Sequence, residues 1–361
     1  MKIIQLLPNF AYGDAIGNDT RAIDAVLKKM GIPTKIYAEN INRRIPKGYA
    51  EQINNLPHLE KNDIIIYHGS TGSELNKKLQ TFSCRKMMIY HNITPPDYFA
   101  PYNKKTSENL SRGAEEIGEL RDHIDYCIAV SEFNKSDLLR MGFSCPIDVC
   151  PIIIPFQDYE QEPDPEIIKQ YSLDEITNIL FVGRIVPHKK QEDLILSFYV
   201  YHKYFNPKSR LILCGSYTGI ENYYLRLVDY AAQLGLTDDI IFTGHIKFSE
   251  ILAWYRIADV FLCMSEHEGF CVPLLEAMYF KLPIIAYKST AIPCTLGDSG
   301  ILLDDKSPVT AAEKINAVIS DKDYRNAIIQ KQNERLMDFS YENVSNRFQT
   351  LLDNFISALP R

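Results

Sequence analysis

The chain has 361 residues, a hydrophobic content of 46%, a charged content of 24% and a formal net charge of −7. This length favours two domains of ordinary size, the composition is that of a globular protein with a buried core, and the acidic balance argues against nucleic acid as the main partner. No apolar run reaches the roughly 18–20 residues of a membrane span, and the eight cysteines form no Cys-x-x-Cys and no Cys/His cluster at zinc spacing.

The charge is uneven. Residues 1–150 carry 19 Lys+Arg and 18 Asp+Glu, whereas the remainder carries 20 and 28. The basic pairs Lys28-Lys29, Arg43-Arg44, Lys77-Lys78, Arg85-Lys86 and Lys104-Lys105 all lie in the first part. Ordinary solvated charge is one reading; weak docking to an anionic membrane surface or a phosphorylated acceptor is the other. Cys145 and Cys150, the nearest pair in sequence, read as reduced thiols, which suits a reducing cytoplasm.

Short apolar runs alternate with helical patterns along the chain. In the first part strands are expected at 3–7, 34–38, 63–67, 87–90, 126–130 and 148–152, with helices at 22–30, 113–121 and 135–141. The second part reads as strands at 179–182, 210–214, 240–243, 260–264, 283–287 and 301–303. Helices are expected there at 191–204, 223–234, 249–257, 274–280 and 311–319, followed by an amphipathic helix at 341–355. Such alternation predicts parallel sheets covered by helices on both faces. The segment Pro151–Pro165, with Pro155 and Pro163, reads as a linker between two Rossmann-like halves.

Several strand ends carry polar or glycine-rich residues, and ligands of open α/β sheets bind at such carboxyl ends. After the first strand comes Pro8–Asp19, with Gly13 and Gly17, a loop in which backbone can approach a ligand. It is neither a dinucleotide fingerprint nor a Walker loop. Tyr90-His91-Asn92 ends another strand, and His91 is expected to face the crevice above the sheet and bond sugar hydroxyls. His68, in Tyr67-His68-Gly69, has nothing around it in sequence that points to chemistry.

In the second part Gly183-Arg184, followed by His188-Lys189-Lys190, sits where a strand meets a helix. Arg184 can fork onto phosphate oxygens and Lys189 adds a point charge, so together they suit a diphosphate leaving group without metal. Gly215, Gly244 and Ile246 belong to two further strand-end turns that could line a base pocket, although packing explains them almost as well. Then Ser265-Glu-His-Glu268-Gly269-Phe270-Cys271-Val272-Pro273-Leu-Leu275-Glu276 reads as a tight turn feeding a helix, bracketed by two carboxylates. The helix start suits phosphate and a carboxylate suits the paired hydroxyls of a ribose.

These residues resemble the retaining glycosyltransferases of family four, which have the two-domain GT-B fold. Val182–Lys189 looks like that family's Gly-Arg-x-x-x-x-Lys element and Ser265–Met278 like its Glu-x7-Glu element. The match is specific over 178–305 and looser before it, through the glycine loop, Tyr90-His91-Asn92 and Ala129–Glu132. The resemblance implies a GT-B architecture of two Rossmann-like parallel-sheet domains facing a cleft. An acceptor-side domain would span 1–160, with a C-terminal helix at about 340–361 packing back on it, and a nucleotide-sugar donor domain would span 161–339. It also implies roles. Glu276 would bind ribose hydroxyls, Glu268 the donor sugar, and backbone N–H groups of Phe270, Cys271 and Val272 its hydroxyls. Arg184 and Lys189 would hold the diphosphate with help from Gly17, and His91 would contact the transferred sugar. Gly183, Gly215, Gly244, Ile246, Gly269 and Leu275 complete the donor-binding set. Two departures stand out: Cys271 and Lys190 occupy positions where the family commonly has glycine.

The expected function is hexose transfer, with retention, from UDP-glucose or UDP-N-acetylglucosamine to a saccharide or lipid-linked saccharide acceptor in envelope or surface polysaccharide synthesis. No metal or other cofactor is expected. The expected location is cytoplasmic, with peripheral membrane contact through the first domain. Two other readings stay open: an isomerase resembling UDP-sugar 2-epimerases, and a non-catalytic nucleotide-sugar binding protein. A dinucleotide oxidoreductase is the weakest, because no fingerprint follows a strand.

Overall fold

A computed structural model describes residues 1–11, 13–172 and 175–358. Thirteen strands and thirteen α-helices alternate among these residues. They form two compact units. The first comprises residues 1–97, 105–155 and those from Phe339 onward; the second comprises 98–104 and 156–338.

The first unit holds a seven-stranded sheet in the order β3-β2-β1-β4-β5-β6-β7, and every registered pair is parallel. Its strands are β1 (Ile3–Phe10), β2 (Thr34–Ile41), β3 (Ala50–Gln52), β4 (Ile64–Gly69), β5 (Arg85–Tyr90), β6 (Tyr126–Ala129) and β7 (Ile147–Val149). Every residue of β4 is buried, as a central parallel strand covered on both faces requires. One face packs Leu6, Tyr67, Leu75, Met88, Ile117 and Leu138; the other packs Leu7, Phe10, Ile36, Ala38 and Ile45. The helices are α1 (Ala15–Lys29), α2 (Glu74–Leu79), α3 (Lys104–Glu119), α4 (Glu132–Arg140) and α13 (Tyr341–Ser357). The last returns from the far end of the chain. Phe355 lies under the Arg85 guanidinium at 3.8 Å, and its carbonyl accepts a hydrogen bond from Arg85 (2.8 Å). Residues 359–361, the end of the expected C-terminal helix, lie outside the described residues.

The second unit holds a six-stranded parallel sheet in the order β10-β9-β8-β11-β12-β13. Its strands are β8 (Thr177–Val182), β9 (Ser209–Cys214), β10 (Ile240–Gly244), β11 (Val260–Cys263), β12 (Ile284–Tyr287) and β13 (Ile301–Leu303). Its helices are α5 (Pro165–Tyr171), α6 (Gln191–Tyr204), α7 (Glu221–Gln233), α8 (Phe248–Ile257), α9 (Val272–Tyr279), α10 (Ile292–Leu296), α11 (Pro308–Ser320) and α12 (Lys322–Asp338). In both sheets the chain order reverses once, between β1 and β4 and between β8 and β11. Those reversals open the crevices where ligands of such sheets bind.

Three sequence expectations are corrected here. The Pro8–Asp19 loop is mostly regular: β1 runs to Phe10 and α1 starts at Ala15, capped by Asp14, whose Oδ1 accepts the Gly17 N–H at 2.5 Å. Tyr12 in that loop lies outside the described residues. Gly17 is a helix residue whose N–H is already bonded, and a Cβ there would meet the Ala11 carbonyl oxygen at 2.3 Å. The Pro151–Pro165 linker also contains a short 3-10 turn, Phe156–Glu160, and Pro165 opens α5 behind the Asp164 cap. The Arg85-Lys86 pair is not basic surface: besides the Arg85 contacts above, buried Lys86 donates to the Phe82 carbonyl at 2.8 Å. Cys145 and Cys150 are both free thiols, and Cys145 Sγ lies 3.6 Å from that of Cys127.

Candidate functional site

In the second unit the residues singled out by sequence converge at the β8/β11 reversal. Arg184 and Lys189 follow β8, and Glu268 follows β11. Lys189 and Glu268 form a direct ion pair and are 16% and 7% exposed. Burial opposes the lysine charge, but the Glu268 carboxylate more than offsets it, and the ammonium is held above its ordinary pKa. Arg184 is exposed, and its guanidinium approaches the Thr218 carbonyl at 3.5 Å. Cationic groups of both kinds therefore stand at one strand end.

The turn after β11 is tied down from the β12–α10 loop and from α10 itself. Thr290 Oγ1 accepts the Glu268 N–H (2.8 Å), the Ala291 N–H reaches the Glu268 carbonyl (3.3 Å), and the Thr295 hydroxyl donates to the Phe270 carbonyl (2.6 Å). Gly269, Phe270 and Cys271 lead from this turn into α9, which opens with Val272 and Pro273. Cys271 and Lys190 adopt left-handed backbone, with φ of 71° and 54°. Glycine takes that conformation without steric cost, so these two departures from the resemblance fall where a side chain is strained. The Lys190 ammonium turns to Glu266 at 3.4 Å and Glu192 at 3.8 Å.

Glu276 lies one turn into α9. Its two oxygens accept from the Tyr159 hydroxyl (2.7 Å) and the Tyr255 hydroxyl (2.6 Å). Burial raises its pKa, the two tyrosine bonds lower it, and burial prevails. A carboxylate offers about four acceptor sites, so this clamp leaves capacity for further donors. Sequence inspection misses Tyr159, Tyr255, Thr290 and Thr295, because their partners lie 21 to 117 residues away.

Three glycine turns line the neighbouring strand ends. Gly183 N–H donates to Cys214 O at 2.9 Å, and a Cβ on Gly215 would lie 2.0 Å from the Gly183 carbonyl oxygen. Gly215 bridges in turn to Gly244, at φ 67°. Ile246, beyond that turn, is half-buried, whereas the Leu275 side chain is fully buried in the core of its unit and presents nothing to an open surface. A surface hollow of about 650 Å³ along α7, between Glu192 and Gln233, includes none of Arg184, Lys189, Glu268 or Glu276.

The first unit assembles a second polar cluster around its own reversal. The His91 ring does not face an open crevice as expected; it is buried, with Nε2 3.0 Å from His68 Nδ1 and 3.9 Å from Asp19 Oδ2. His68 Nε2 reaches Gln5 Oε1 at 3.0 Å. Burial pushes the His91 pKa down to about 3 and His68 well below its usual value, so both imidazoles are neutral. Burial also raises the Asp19 carboxyl to about 7, against the lowering effect of the Ile153 N–H.

Two groups among the described residues bring potential metal-ligand atoms within 4.8 Å of one another: Asp19, His68 and His91, and Cys263, Glu268 and Cys271. The second group already holds the Lys189 ammonium on its carboxylate, which suits an anionic ligand nearby better than a further cation. In the first, the two rings bond each other.

Residues 164–335 match the family model for glycosyl transferases group 1. That stretch is similar to group 1 glycosyltransferases. Arg184, Lys189, Glu268 and Glu276 all lie within it. O-antigen chain mannosyltransferase B of Escherichia coli is 25% identical over 287 residues, covering 77% of this chain and 71% of that protein. The GDP-mannose-dependent alpha-(1-6)-phosphatidylinositol monomannoside mannosyltransferase of Mycobacterium tuberculosis is 28% identical over 222 residues, 57% of this chain and 56% of that enzyme. Among solved structures, Anabaena HepE in complex with UDP-glucose superposes with a TM-score of 0.76 at 16% identity, covering 98% of this chain and all of that one. The chain has the GT-B fold of such neighbours, and it is a transferase.

Proposed function

We propose that this transferase moves a hexose from a nucleoside diphosphate sugar to a hydroxyl of a saccharide or lipid-linked saccharide, with retention of configuration and without a metal. The observation that carries this reading is the buried Lys189–Glu268 pair at the β8/β11 reversal, with Arg184 on the same strand end and clamped Glu276 behind it. In this reading Lys189 and Arg184 take the diphosphate and stabilise its charge as the glycosidic bond breaks. Glu268 then accepts from donor-sugar hydroxyls, and Glu276 uses its remaining lone pairs for the paired ribose hydroxyls. The departing phosphate takes the acceptor proton on the same face, so no separate protein base is needed.

The base and sugar are proposed by class. UDP-glucose is favoured by the likeness to HepE and GDP-mannose by the two mannosyltransferase relatives. A screen of UDP-glucose, UDP-N-acetylglucosamine and GDP-mannose for slow hydrolysis and thermal stabilisation separates them. One donor should be hydrolysed to its nucleoside diphosphate. Tight nucleotide binding with no release from any donor would favour a binding protein, and an epimer from UDP-N-acetylglucosamine alone would favour an isomerase.

A further inference from the structure

Lys306 stands in the loop between β13 and α11, and its ammonium holds two carboxylates from other segments, Asp193 Oδ2 at 2.8 Å and Glu266 Oε1 at 2.7 Å. Asp193 belongs to the first turn of α6 and Glu266 to the turn after β11. The other Glu266 oxygen takes Lys190 at 3.4 Å, and Lys190 also approaches Glu192 at 3.8 Å. Lys306, Asp193 and Glu266 are between 20% and 30% exposed, so solvent screens them less than an open surface pair. The loop that carries Lys306 is itself fixed. Ser307 Oγ caps α11 by accepting the Thr310 N–H at 3.2 Å, and the Ser307 N–H donates to Asp305 Oδ1 at 2.9 Å.

Both neighbours of Lys189 are tied into this network. The His188 carbonyl accepts the Glu266 N–H at 2.8 Å, and the Lys190 side chain turns to the Glu266 carboxylate. The Lys190 carbonyl in turn accepts the N–H of Asp193 (3.0 Å), whose carboxylate sits on Lys306. Glu266 thus holds the chain on either side of Lys189, and Glu268, two residues further on, takes the Lys189 ammonium itself. An ammonium has three protons to donate, so Lys306 serves two carboxylates at once. An uncharged side chain there would leave Asp193 and Glu266 as like charges around one position. Burial raises the Glu266 carboxyl, but Lys306, Lys190 and the Tyr98 hydroxyl outweigh it and hold it below its usual range, so it stays ionised at neutral pH.

We infer that Lys306 is a positioning residue for Lys189: by holding Glu266 and Asp193 on one ammonium, it locks the start of α6 against the turn after β11 and fixes where the Lys189 ammonium stands. Its effect on turnover rests on the proposed role of Lys189 at the diphosphate. The structural tie does not, and that separates the two tests.

The first test needs no donor. In ¹H–¹⁵N spectra of the lysine side chains of the labelled full chain, with Lys189→Arg used for assignment, the Lys189 ammonium should give a slowly exchanging signal. Lys306→Met should shift or abolish that signal. Lys306→Arg, whose guanidinium can fork onto both carboxylates, should keep it. Glu266→Gln breaks the same tie from the other side and should act as Lys306→Met does, even where that variant folds poorly. An absent wild-type signal, or one unchanged in both Lys306→Met and Glu266→Gln, would overturn the proposal. The second test is steady-state kinetics with the donor found by the screen. Lys306→Met should lower kcat about tenfold, Lys306→Arg should restore most of it, and the loss should vanish in a Lys189→Ala background, where nothing is left to position. An equal loss in both backgrounds would show that Lys306 does not act through Lys189. Full turnover in Lys306→Met beside a perturbed Lys189 signal would refute the positioning role. A wild-type chain that turns over no donor, yet responds in the first test, would sink the proposed function and leave the tie standing.

Discussion

At the residue scale the groups proposed to bind the donor are held in place by their neighbours. Lys189 is fixed by Glu268, and Glu276 by Tyr159 and Tyr255. Lys189→Ala should therefore lower kcat on the order of a hundredfold while leaving the far-ultraviolet circular dichroism unchanged. Glu276→Ala should weaken binding of the donor's nucleoside diphosphate by roughly tenfold or more, which calorimetry reads directly. Equal turnover and equal affinity in these variants would remove the diphosphate and ribose assignments. Asp19 carries a pH signature of its own. Its carboxyl rises from 3.8 to about 7 on folding, so between those values the native state binds a proton that the unfolded chain has lost. The stability tied to that proton is present below about pH 4 and lost as pH rises through 7. An asparagine side chain at this position would mimic the protonated form and can still accept the Ile153 N–H. Asp19→Asn should thus gain stability over the wild type in urea unfolding as pH goes from 4 to 8, by roughly 4 kcal/mol at most.

At the element scale the strand ends set the tolerances. A Cβ on Gly215 would lie 2.0 Å from a backbone oxygen of the β8 turn, which cannot swing aside as a side chain can. Gly215→Ala should destabilise by about 1–3 kcal/mol or more and displace Arg184 along with Gly183. Gly118 in α3 is the contrasting case: nothing lies within 4 Å of its added Cβ and its φ is not positive. Gly118→Ala should stabilise by about 0.5–1 kcal/mol. Denaturant midpoints of both variants check the pair. The elements legible in sequence were those with a long apolar period. α6 falls at 191–204 as the pattern predicts, and twelve of the thirteen strands coincide with apolar runs. The missed elements have physical reasons. β3 has three residues at a sheet edge, none of them buried. α2, α5 and α10 have seven residues or fewer, and α12 buries only Ile328 and Gln332, so none shows an apolar stripe.

At the scale of the whole molecule, Arg184, Lys189, Glu268 and Glu276 all belong to the second unit, and each unit has its own sheet and core. Saturating nucleoside diphosphate should therefore raise the thermal transition of the second unit, by about 2.7 kcal/mol at a hundredfold excess over Kd, and leave that of the first in place. Calorimetric scans with and without nucleotide test this; an equal shift of both transitions would count against it. Activity after exhaustive chelation tests the metal-free reading, and a strict divalent requirement would end it. No helix among the described residues is long and apolar enough to cross a membrane.

The sequence by itself determined the alternating parallel architecture and singled out the residues proposed for the diphosphate. Hydrophobic period and strand-end chemistry are local properties, and Arg184–Lys189 and Glu268–Glu276 are each compact segments. Tertiary structure alone decided what each of those residues touches. It set Thr290, Tyr159 and Tyr255 around the Glu268–Glu276 turn and turned Gly17 from a loop residue into a packed helix residue. It also joined His68, which looked isolated in sequence, to Gln5 and His91. Parallel sheets set residues from distant crossovers side by side at one edge, so partners 23 and 63 residues apart become hydrogen-bonded neighbours. No reading of adjacent residues exposes such a pairing.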